Sequence, residues 1–312
     1  MKLFRPSSRG MWIAAVSTIL ILPFVFPVLS HAPAPAEIQT DDRRLIKATW
    51  LWDARRIATE PDEILSFLQK NGVNLLYLQV KPSDVSVDHY RHFIRKARSL
   101  GIDVHALNGQ PEWAFLHRYD ELQSFVDWVR RYNDAVLRSE SFTGIHLDIE
   151  PYLLPQWKTD RDRVIREWKE NTERIVAQIK ERSDLVAGAD LPFWLDDVPA
   201  VPGETPSGQL SSWMIRQFDH VTLMAYRNKA VEDDGILAHV RSELKTAAAW
   251  NKTVLVGVSI NATDEGDKVS FAEKGKAEMQ RQLSITDAHL RPFASYGGHA
   301  IHDYASWKAA RD

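Results

Sequence analysis

Three titratable residues alternate along one apolar segment of the chain. The segment FTGIHLDIE, residues 142–150, places His146, Asp148 and Glu150 at every second position, with leucine or isoleucine between them. Successive side chains of a strand point to opposite faces, so these three polar side chains share one face. Two carboxylates roughly 6 to 7 Å apart in a partly dry site cannot both ionise cheaply, so one pKa should rise. The segment therefore predicts a general acid at Glu150, with Asp148 one layer deeper.

Two other interpretations of these carboxylates can be weighed from the residues. They could form a buried ion-pair network with Lys81 or Arg227, although no cation lies on the segment itself. A metal site is not indicated, because no H-E-x-x-H motif occurs and His299 and His302 would point to opposite strand faces. The sequence predicts no metal and no cofactor.

The elements that must position these residues form a regular series. From about residue 45 onward, short apolar strands alternate with amphipathic helices about eight times, as parallel βα units do. Eight such units over about 265 residues match a closed (β/α)8 TIM barrel in the α/β class. An open doubly wound sheet is the alternative, but no G-x-G-x-x-G follows the first strand. The predicted strands are 48–52, 73–80, 102–107, 142–150, 185–189, 220–226, 254–260 and 298–304.

Barrel enzymes place reacting groups at the carboxyl ends of strands, and those positions are polar or aromatic in this chain. Flat rings with a polar edge suit sugar faces, and the chain has 11 tryptophans. Packing between helices and barrel is the alternative for any single tryptophan. We interpret His105 and His220 as structural. The predicted substrate-binding residues are Trp52, Gln79, Asn108, Trp113, His146, Asp190, Trp194, Arg227, Asn261 and Asp303.

Two short motifs carry a resemblance to a known family. The segment TGIHLDIE, residues 143–150, resembles the D-G-x-D-x-D-x-E signature on the fourth strand of family 18 glycoside hydrolases, the chitinase-like barrels. The segment MAY, residues 224–226, is similar to the M-x-Y of that family's sixth strand. The resemblance implies that Glu150 protonates the leaving glycosidic oxygen and that Asp148 orients the substrate acetamido group, the internal nucleophile. It also implies a hydrogen bond from Tyr226 to that group.

The chain departs from the family pattern at three positions. Thr143 and His146 stand where the family usually has Asp, and Arg227 stands where Asp or Asn is usual. The deep acid pair of the family motif is therefore absent. The retaining glycosidases with a second Glu at the end of strand seven are also a poor match, since that strand ends in Ser-Ile-Asn. Asp190 or Asp303 could supply a second carboxylate in their place.

The leading hypothesis is a glycosidase-like enzyme that acts on an extracellular or cell-envelope polysaccharide, with N-acetylated amino sugars as candidate units. A carbohydrate-binding, lectin-like barrel without catalysis is the alternative, motivated by the missing aspartates. A third interpretation is another barrel hydrolase or lyase that uses the same two carboxylates.

Composition and the N-terminal sequence limit the partners and the location that the protein can have. A formal charge of -3 without a long basic tract argues against nucleic acid as a partner. The absence of cysteine excludes disulfides and thiolate catalysis. Lys2, Arg5 and Arg9 precede an apolar run over about residues 11–29 and a Pro/Ala segment, the order of an export signal. We therefore expect residues 1–36 to be a cleaved signal peptide or a membrane anchor, and residues 37–312 to be an exported barrel domain.

Overall fold

Eight parallel strands close into a barrel in chain order. The computed structural model describes residues 43–201 and 209–312, and it confirms the predicted (β/α)8 barrel. The predicted signal or anchor segment, residues 1–36, lies outside the described residues. The strands are β1 Ile46–Leu51, β2 Leu75–Gln79, β3 Asp103–Asn108, β4 Gly144–Leu147, β5 Val186–Pro192, β6 His220–Met224, β7 Thr253–Ser259 and β8 Tyr296–His302.

Helices follow the strands and pack against the outer face of the barrel. Over the described residues, the α-helices are α1 Arg56–Thr59, α2 Pro61–Lys70, α3 Val87–Ser99, α4 Tyr119–Ala135, α5 Gln156–Thr159, α6 Arg161–Lys180, α7 Leu210–Gln217, α8 Arg241–Ala249, α9 Gly275–Leu290 and α10 Tyr304–Ala309. Short 3-10 helices span Pro111–Ala114, Leu116–Arg118, Arg138–Glu140, Pro151–Leu153, Phe193–Asp197 and Ile236–His239. In this part of the chain, no helix has both the length and the apolar character needed to cross a membrane.

The fourth strand is shorter than predicted. Its ladder ends at Leu147, which pairs with Asn108, the last residue of β3. One further bond, from the Asp148 N–H to the Asn108 carbonyl at 3.1 Å, continues the strand direction. Pro151 then begins a 3-10 helix, and proline has no N–H to extend a ladder. Asp148 and Glu150 therefore lie just beyond the carboxyl end of β4 rather than within it.

Alternation along β4 divides its side chains between two environments. Ile145, Leu147 and Ile149 are buried in the large apolar cluster between strands and helices, whereas His146 stacks inside the barrel on Tyr77, with ring centroids 3.7 Å apart. This arrangement is the one that the alternation of residues 142–150 predicted. The interior of the barrel also holds a second, smaller apolar cluster: Ala48, Trp50, Leu75, Tyr77, Leu107, Leu255 and Ala300.

Glycine makes room for the largest rings inside the barrel. A β-carbon at Gly188 would lie 2.5 Å from His220 Cε1 and 2.7 Å from His146 Nδ1. Both distances are far below van der Waals contact, so alanine cannot occupy this position unless buried imidazoles move. At Gly257 on β7 the nearest atom would be 3.1 Å away, which a small adjustment relieves.

We predict that Gly188→Ala lowers the free energy of unfolding by about 2 kcal/mol or more, the usual cost of overpacking a core. Gly257→Ala, the matched control within β7, should stay within about 1 kcal/mol of the wild type. Urea denaturation followed by circular dichroism measures both. Equal stability of the two variants would contradict the tight packing of the imidazoles around residue 188.

Candidate active site

A close backbone approach holds Asp148 at the mouth of the barrel. A β-carbon at Gly109 would lie 1.8 Å from the Asp148 carbonyl oxygen, so glycine is required at residue 109. Asn108 fixes the same loop, because its Oδ1 accepts from the Gly109 N–H at 2.9 Å and its Nδ2 donates to the Val80 carbonyl at 3.2 Å. Asn108, predicted to bind substrate, instead supports the backbone next to Asp148.

Asp190 brings a second buried carboxyl group beside Asp148. It lies on β5, the strand next to β4 in the barrel, and is 3% exposed. Its Oδ2 accepts from Trp50 Nε1 at 2.9 Å. Burial, followed by the charges of Asp190 and Glu150, raises the pKa of Asp148 well above its usual range. The neighbouring strand thus supplies the deep acid that the β4 motif lacks.

The pKa of Asp190 is shifted in the same direction. Burial raises its pKa well above the ordinary value, the Trp50 hydrogen bond opposes this effect, and the charge of Glu150 adds to it. His146 Nε2 lies 2.9 Å from Asp190 Oδ1, but the contact lacks hydrogen-bond alignment. Burial lowers the pKa of His146 to about 3, so this imidazole is neutral and does not counter the carboxyl groups.

Glu150 lies on the solvent-facing side of the pair formed by Asp148 and Asp190. Burial raises its pKa, the hydrogen bond from the Tyr152 hydroxyl lowers it, and the charge of Glu265 raises it further. A carboxyl group in this condition retains its proton at a pH where exposed glutamates have lost theirs. Glu150 is therefore suited to general acid catalysis.

Tyr226 completes the group just after β6. Burial and then the charges of four carboxyl groups, with Asp190 and Asp148 as the largest, raise the pKa of Tyr226 well above its usual value. Its hydroxyl therefore stays protonated and can donate a hydrogen bond. We refer to Asp148, Glu150, Asp190 and Tyr226 as the acidic cluster.

The acidic cluster opens onto a cleft of about 420 Å³. Aromatic side chains form much of its wall: the Trp194 ring meets the Tyr152 ring edge-on with centroids 4.9 Å apart. The Arg227 guanidinium lies 4.9 Å from the Phe193 ring centroid and pairs with Asp234 at 2.9 Å. The cleft is lined by Glu150, Tyr152, Leu153, Pro192, Phe193, Trp194, Met224, Tyr226, Arg227, Glu265 and Val269.

A second pocket of about 360 Å³ lies at the ends of β1 and β2, where Trp52 and Gln79 contribute to its wall. Trp52 Nε1 donates to His302 Nε2 at 3.1 Å. The other ring nitrogen of His302 lies 3.1 Å from Asn261 Nδ2. The indole is thus held in place at the barrel mouth by residues from β8 and the loop after β7.

Besides Asn108 and the buried Asp190, four of the predicted substrate-binding residues have other roles or locations. His146 is fully buried below the cleft. Trp113 is 5% exposed and packs on Phe125 of α4 with ring centroids 5.9 Å apart. Asp303 caps α10 by accepting from the Ser306 N–H at 2.9 Å, and Asn261 Oδ1 accepts from the Asp303 N–H at 3.0 Å. These side chains stabilise the barrel around the site and do not line the cleft.

The ion-pair interpretation of the carboxylates is wrong for both proposed partners. Lys81 Nζ pairs with Asp84 at 2.9 Å, and Arg227 pairs with Asp234 outside the acidic cluster. Neither cation neutralises Asp148 or Glu150, which is why burial can raise both pKa values.

Several residues that line the cleft were not predicted from the sequence, among them Tyr152, Phe193 and Glu265. Tyr152 lies two positions after Glu150 and bonds to it, so the spacing alone could have drawn attention to it. Phe193 directly follows β5 and precedes Trp194, which was predicted, so its position was equally accessible. Glu265 lies in the loop after β7, and nothing local in the sequence indicates that this loop turns toward the cleft.

No protein-family model and no curated protein matches the chain, but many solved structures do. A chitinase from Bacteroides thetaiotaomicron is 10% identical, with a TM-score of 0.54 over 85% of this chain and 91% of that one. A mutant family 18 chitinase from Cycas revoluta, in complex with (GlcNAc)4, is 14% identical, with a TM-score of 0.52 over 84% and 95%. A structure of fungal β-1,4-galactanases gives 13% identity and a TM-score of 0.52 over 85% and 90%. The chain therefore has the fold of a divergent chitinase-like barrel.

Proposed function

We propose that the protein is a glycosidase in which Glu150 is the general acid, acting on a polysaccharide with N-acetylated amino sugars. The observation that carries this proposal is the acidic cluster itself. A glutamate with a raised pKa lies beside a buried carboxyl pair and faces a cleft with aromatic walls. Hydrolysis of a glycosidic bond requires an acid that keeps its proton and a second carboxyl group nearby. Aromatic walls provide apolar surfaces for the sugar rings.

The proposed role of each residue follows from the hydrogen bonds that its side chain still has available. Glu150 donates its proton to the leaving glycosidic oxygen. Asp148 Oδ1 is buried and has no hydrogen-bond partner within the protein, and buried polar atoms are nearly always satisfied. An acetamido N–H of the substrate would satisfy that oxygen and be oriented by it. The Tyr226 hydroxyl, which stays protonated, donates to the acetamido oxygen.

Asp190 acts through Asp148 rather than on the substrate. At 3% exposure it does not reach the cleft, but its charge is the largest electrostatic influence on the pKa of Asp148. Two carboxyl groups in one buried site share the cost of ionisation, so one proton is retained between them. When positive charge develops on the acetamido group during the reaction, that pair can supply the compensating negative charge.

The aromatic walls support the assignment to carbohydrate. Trp194 and Tyr152 line the cleft next to the acid, and aromatic rings stack on the apolar faces of sugars. The pocket at Trp52 and Gln79 lies at the same rim. We propose that it binds further sugar units of the same chain. The N-terminal sequence supports an action outside the cytoplasm, where such polysaccharides occur.

A direct carboxylate mechanism is the second candidate, and Glu265 favours it. This residue lines the same cleft as Glu150, and its charge raises the pKa of Glu150. Asp190 and Asp303 are less suited, since one is buried and the other caps α10. Substrates separate the two mechanisms, because acetamido assistance requires an N-acetyl group and a carboxylate nucleophile does not.

We expect Glu150→Gln to lower the rate of hydrolysis of N-acetylglucosamine oligosaccharides by about 10²- to 10⁴-fold, the usual contribution of a general acid. Mass spectrometry of the products measures hydrolysis, and calorimetry with the same oligosaccharide measures binding, which should persist. Glu173→Gln, a change at an exposed position on α6, is the matched control.

Unchanged turnover in Glu150→Gln would reject the assignment of the acid. Binding by the wild type without any released sugar would favour the lectin-like alternative, for which Thr143 and His146 in place of aspartate are the motive. Hydrolysis of oligosaccharides that lack the N-acetyl group would favour the mechanism through Glu265.

The pH profile offers a test that depends on one hydrogen bond. The Tyr152 hydroxyl stabilises the ionised form of Glu150 and so lowers its pKa. In Tyr152→Phe this effect is lost, the pKa of Glu150 rises, and the alkaline limb of kcat/KM should move to higher pH. A profile of kcat/KM against pH for both proteins measures the shift. Movement to lower pH would contradict the role of Glu150 as the protonated acid.

Asp190→Asn should separate stability from activity. The folded pKa of Asp190 is raised, so its contribution to the free energy of unfolding is complete at low pH and is lost as pH rises through that pKa. Asparagine has no such loss, and its Oδ1 can still accept from Trp50. The variant should therefore melt higher than the wild type at alkaline pH, while its kcat/KM falls. Equal melting temperatures across the pH range would show that Asp190 is not held neutral by burial.

A further inference from the structure

Three histidines converge inside the barrel below the acidic cluster. His105 on β3, His146 on β4 and His220 on β6 each offer one ring nitrogen, and these three atoms lie within 4.8 Å of one another. All three residues are at most 5% exposed. Within residues 43–201 and 209–312, this is the one group of three or more His, Cys, Asp or Glu with such convergence.

Two nitrogen atoms of this group have no partner in the protein. His105 Nδ1 and His146 Nδ1 are buried without a hydrogen bond, whereas His146 Nε2 lies 2.9 Å from Asp190 Oδ1. Buried polar atoms almost always have a partner, and an orphan indicates a ligand, a water or an ion. His220 differs, because its Nε2 lies 3.3 Å from the Tyr77 hydroxyl. Three converging imidazoles, two of which have an unsatisfied ring nitrogen, form a group that a metal ion could bind.

The space for this convergence is built into the strands. A β-carbon at Gly144 would lie 2.7 Å from His105 Nε2, and one at Gly188 would lie 2.7 Å from both His146 Nδ1 and His220 Nε2. The two glycines thus allow imidazoles from three strands to meet. Tyr77 stacks on His146 with an interplanar angle of 16°, which holds that ring in place.

We propose that His105, His146 and His220 bind one transition-metal ion of the zinc class inside the barrel. Imidazole ligands without carboxylate or thiolate suit zinc, cobalt, nickel or copper rather than calcium or magnesium. Three histidines leave a fourth position for water. In a tetrahedral zinc site with bonds of about 2.0 to 2.1 Å, the nitrogens lie about 3.4 Å apart, so the rings close around the ion.

A carboxyl group from β5 lies beside one of the three imidazoles. Asp190 Oδ1 is 2.9 Å from His146 Nε2, which leaves Nδ1 as the His146 nitrogen available to an ion. Carboxyl groups commonly lie in this position beside a histidine that binds a metal.

A route to the site opens at the amino-terminal ends of the strands. A cavity of about 320 Å³ there is lined in part by His105 and His220, together with Asn74 and Asp103. An ion could therefore reach the histidines from the end of the barrel opposite the cleft. Once bound, it would join β3, β4 and β6. The proposal does not depend on the proposed hydrolysis.

The test uses the full chain, purified without an affinity tag, stripped with a chelator and titrated with Zn²⁺ and Co²⁺. We expect one ion per chain by elemental analysis, a higher melting temperature with Zn²⁺, and a visible spectrum of nitrogen-ligated Co²⁺. His105→Gln and His220→Gln should each weaken binding by about 100-fold or more, since even outer-shell changes weaken metal sites by 10- to 100-fold. The control is the double variant His89→Gln, His92→Gln, at exposed positions on α3, which should bind as the wild type does.

Two results would overturn the proposal: no stoichiometric ion bound to the folded wild type, or binding unchanged in His105→Gln and His220→Gln. Loss of the ion in the α3 double variant would also overturn it, because the ion would then be on the surface. If the core variants do not fold, X-ray absorption at the zinc edge of the wild type decides. Three imidazole nitrogens at about 2.0 to 2.1 Å support the site, and a shell of oxygen atoms rejects it.

Discussion

Closure of eight strands into a narrow barrel forces every second side chain into a shared interior, and this chain puts titratable groups there. His105, His146 and His220 occupy the interior of β3, β4 and β6, and Asp190 faces inward from β5 toward Trp50. In an apolar barrel these positions would hold branched aliphatic side chains. The rest of the site follows from the fact that these polar groups are removed from water together.

Burial shifts the pKa values of the carboxyl groups and of the histidines inside the barrel in opposite directions. Burial disfavours the charged form of any group, so it raises the pKa of Asp148 and Asp190 and lowers that of His146 and His220. These shifts favour the uncharged forms of both His146 and Asp190, so the contact between them at 2.9 Å does not neutralise the acidic cluster.

The local sequence pattern was sufficient to predict the barrel and the residues of its interior, but not all residues of the cleft. Alternation alone placed His146 inside and Leu147 among the helices, and repeated βα units predicted the closed barrel. The same alternation explains why the prediction of Asn108 as a substrate-binding residue was wrong. Leu107 faces the interior of the barrel, so the next side chain, Asn108, points away from it and bonds to the backbone. By contrast, the position of Glu265 in the cleft depends on the path of a loop after β7. No periodicity encodes such a path.

The missing aspartates of the β4 motif show why a motif read along one strand can mislead. To raise the pKa of Asp148, a second carboxyl group must be close in space and buried, and its place in the sequence does not matter. Strand β5 neighbours β4, with His146 in register with Gly188, so the side chain two residues later on β5 comes level with Asp148. Asp190 occupies that position. Because Gly188 adds no side chain, the interior also has room for the His146 ring where a motif aspartate would have been. A buried carboxyl group at the same height on the neighbouring strand thus raises the pKa of Asp148 without an acidic residue at position 146.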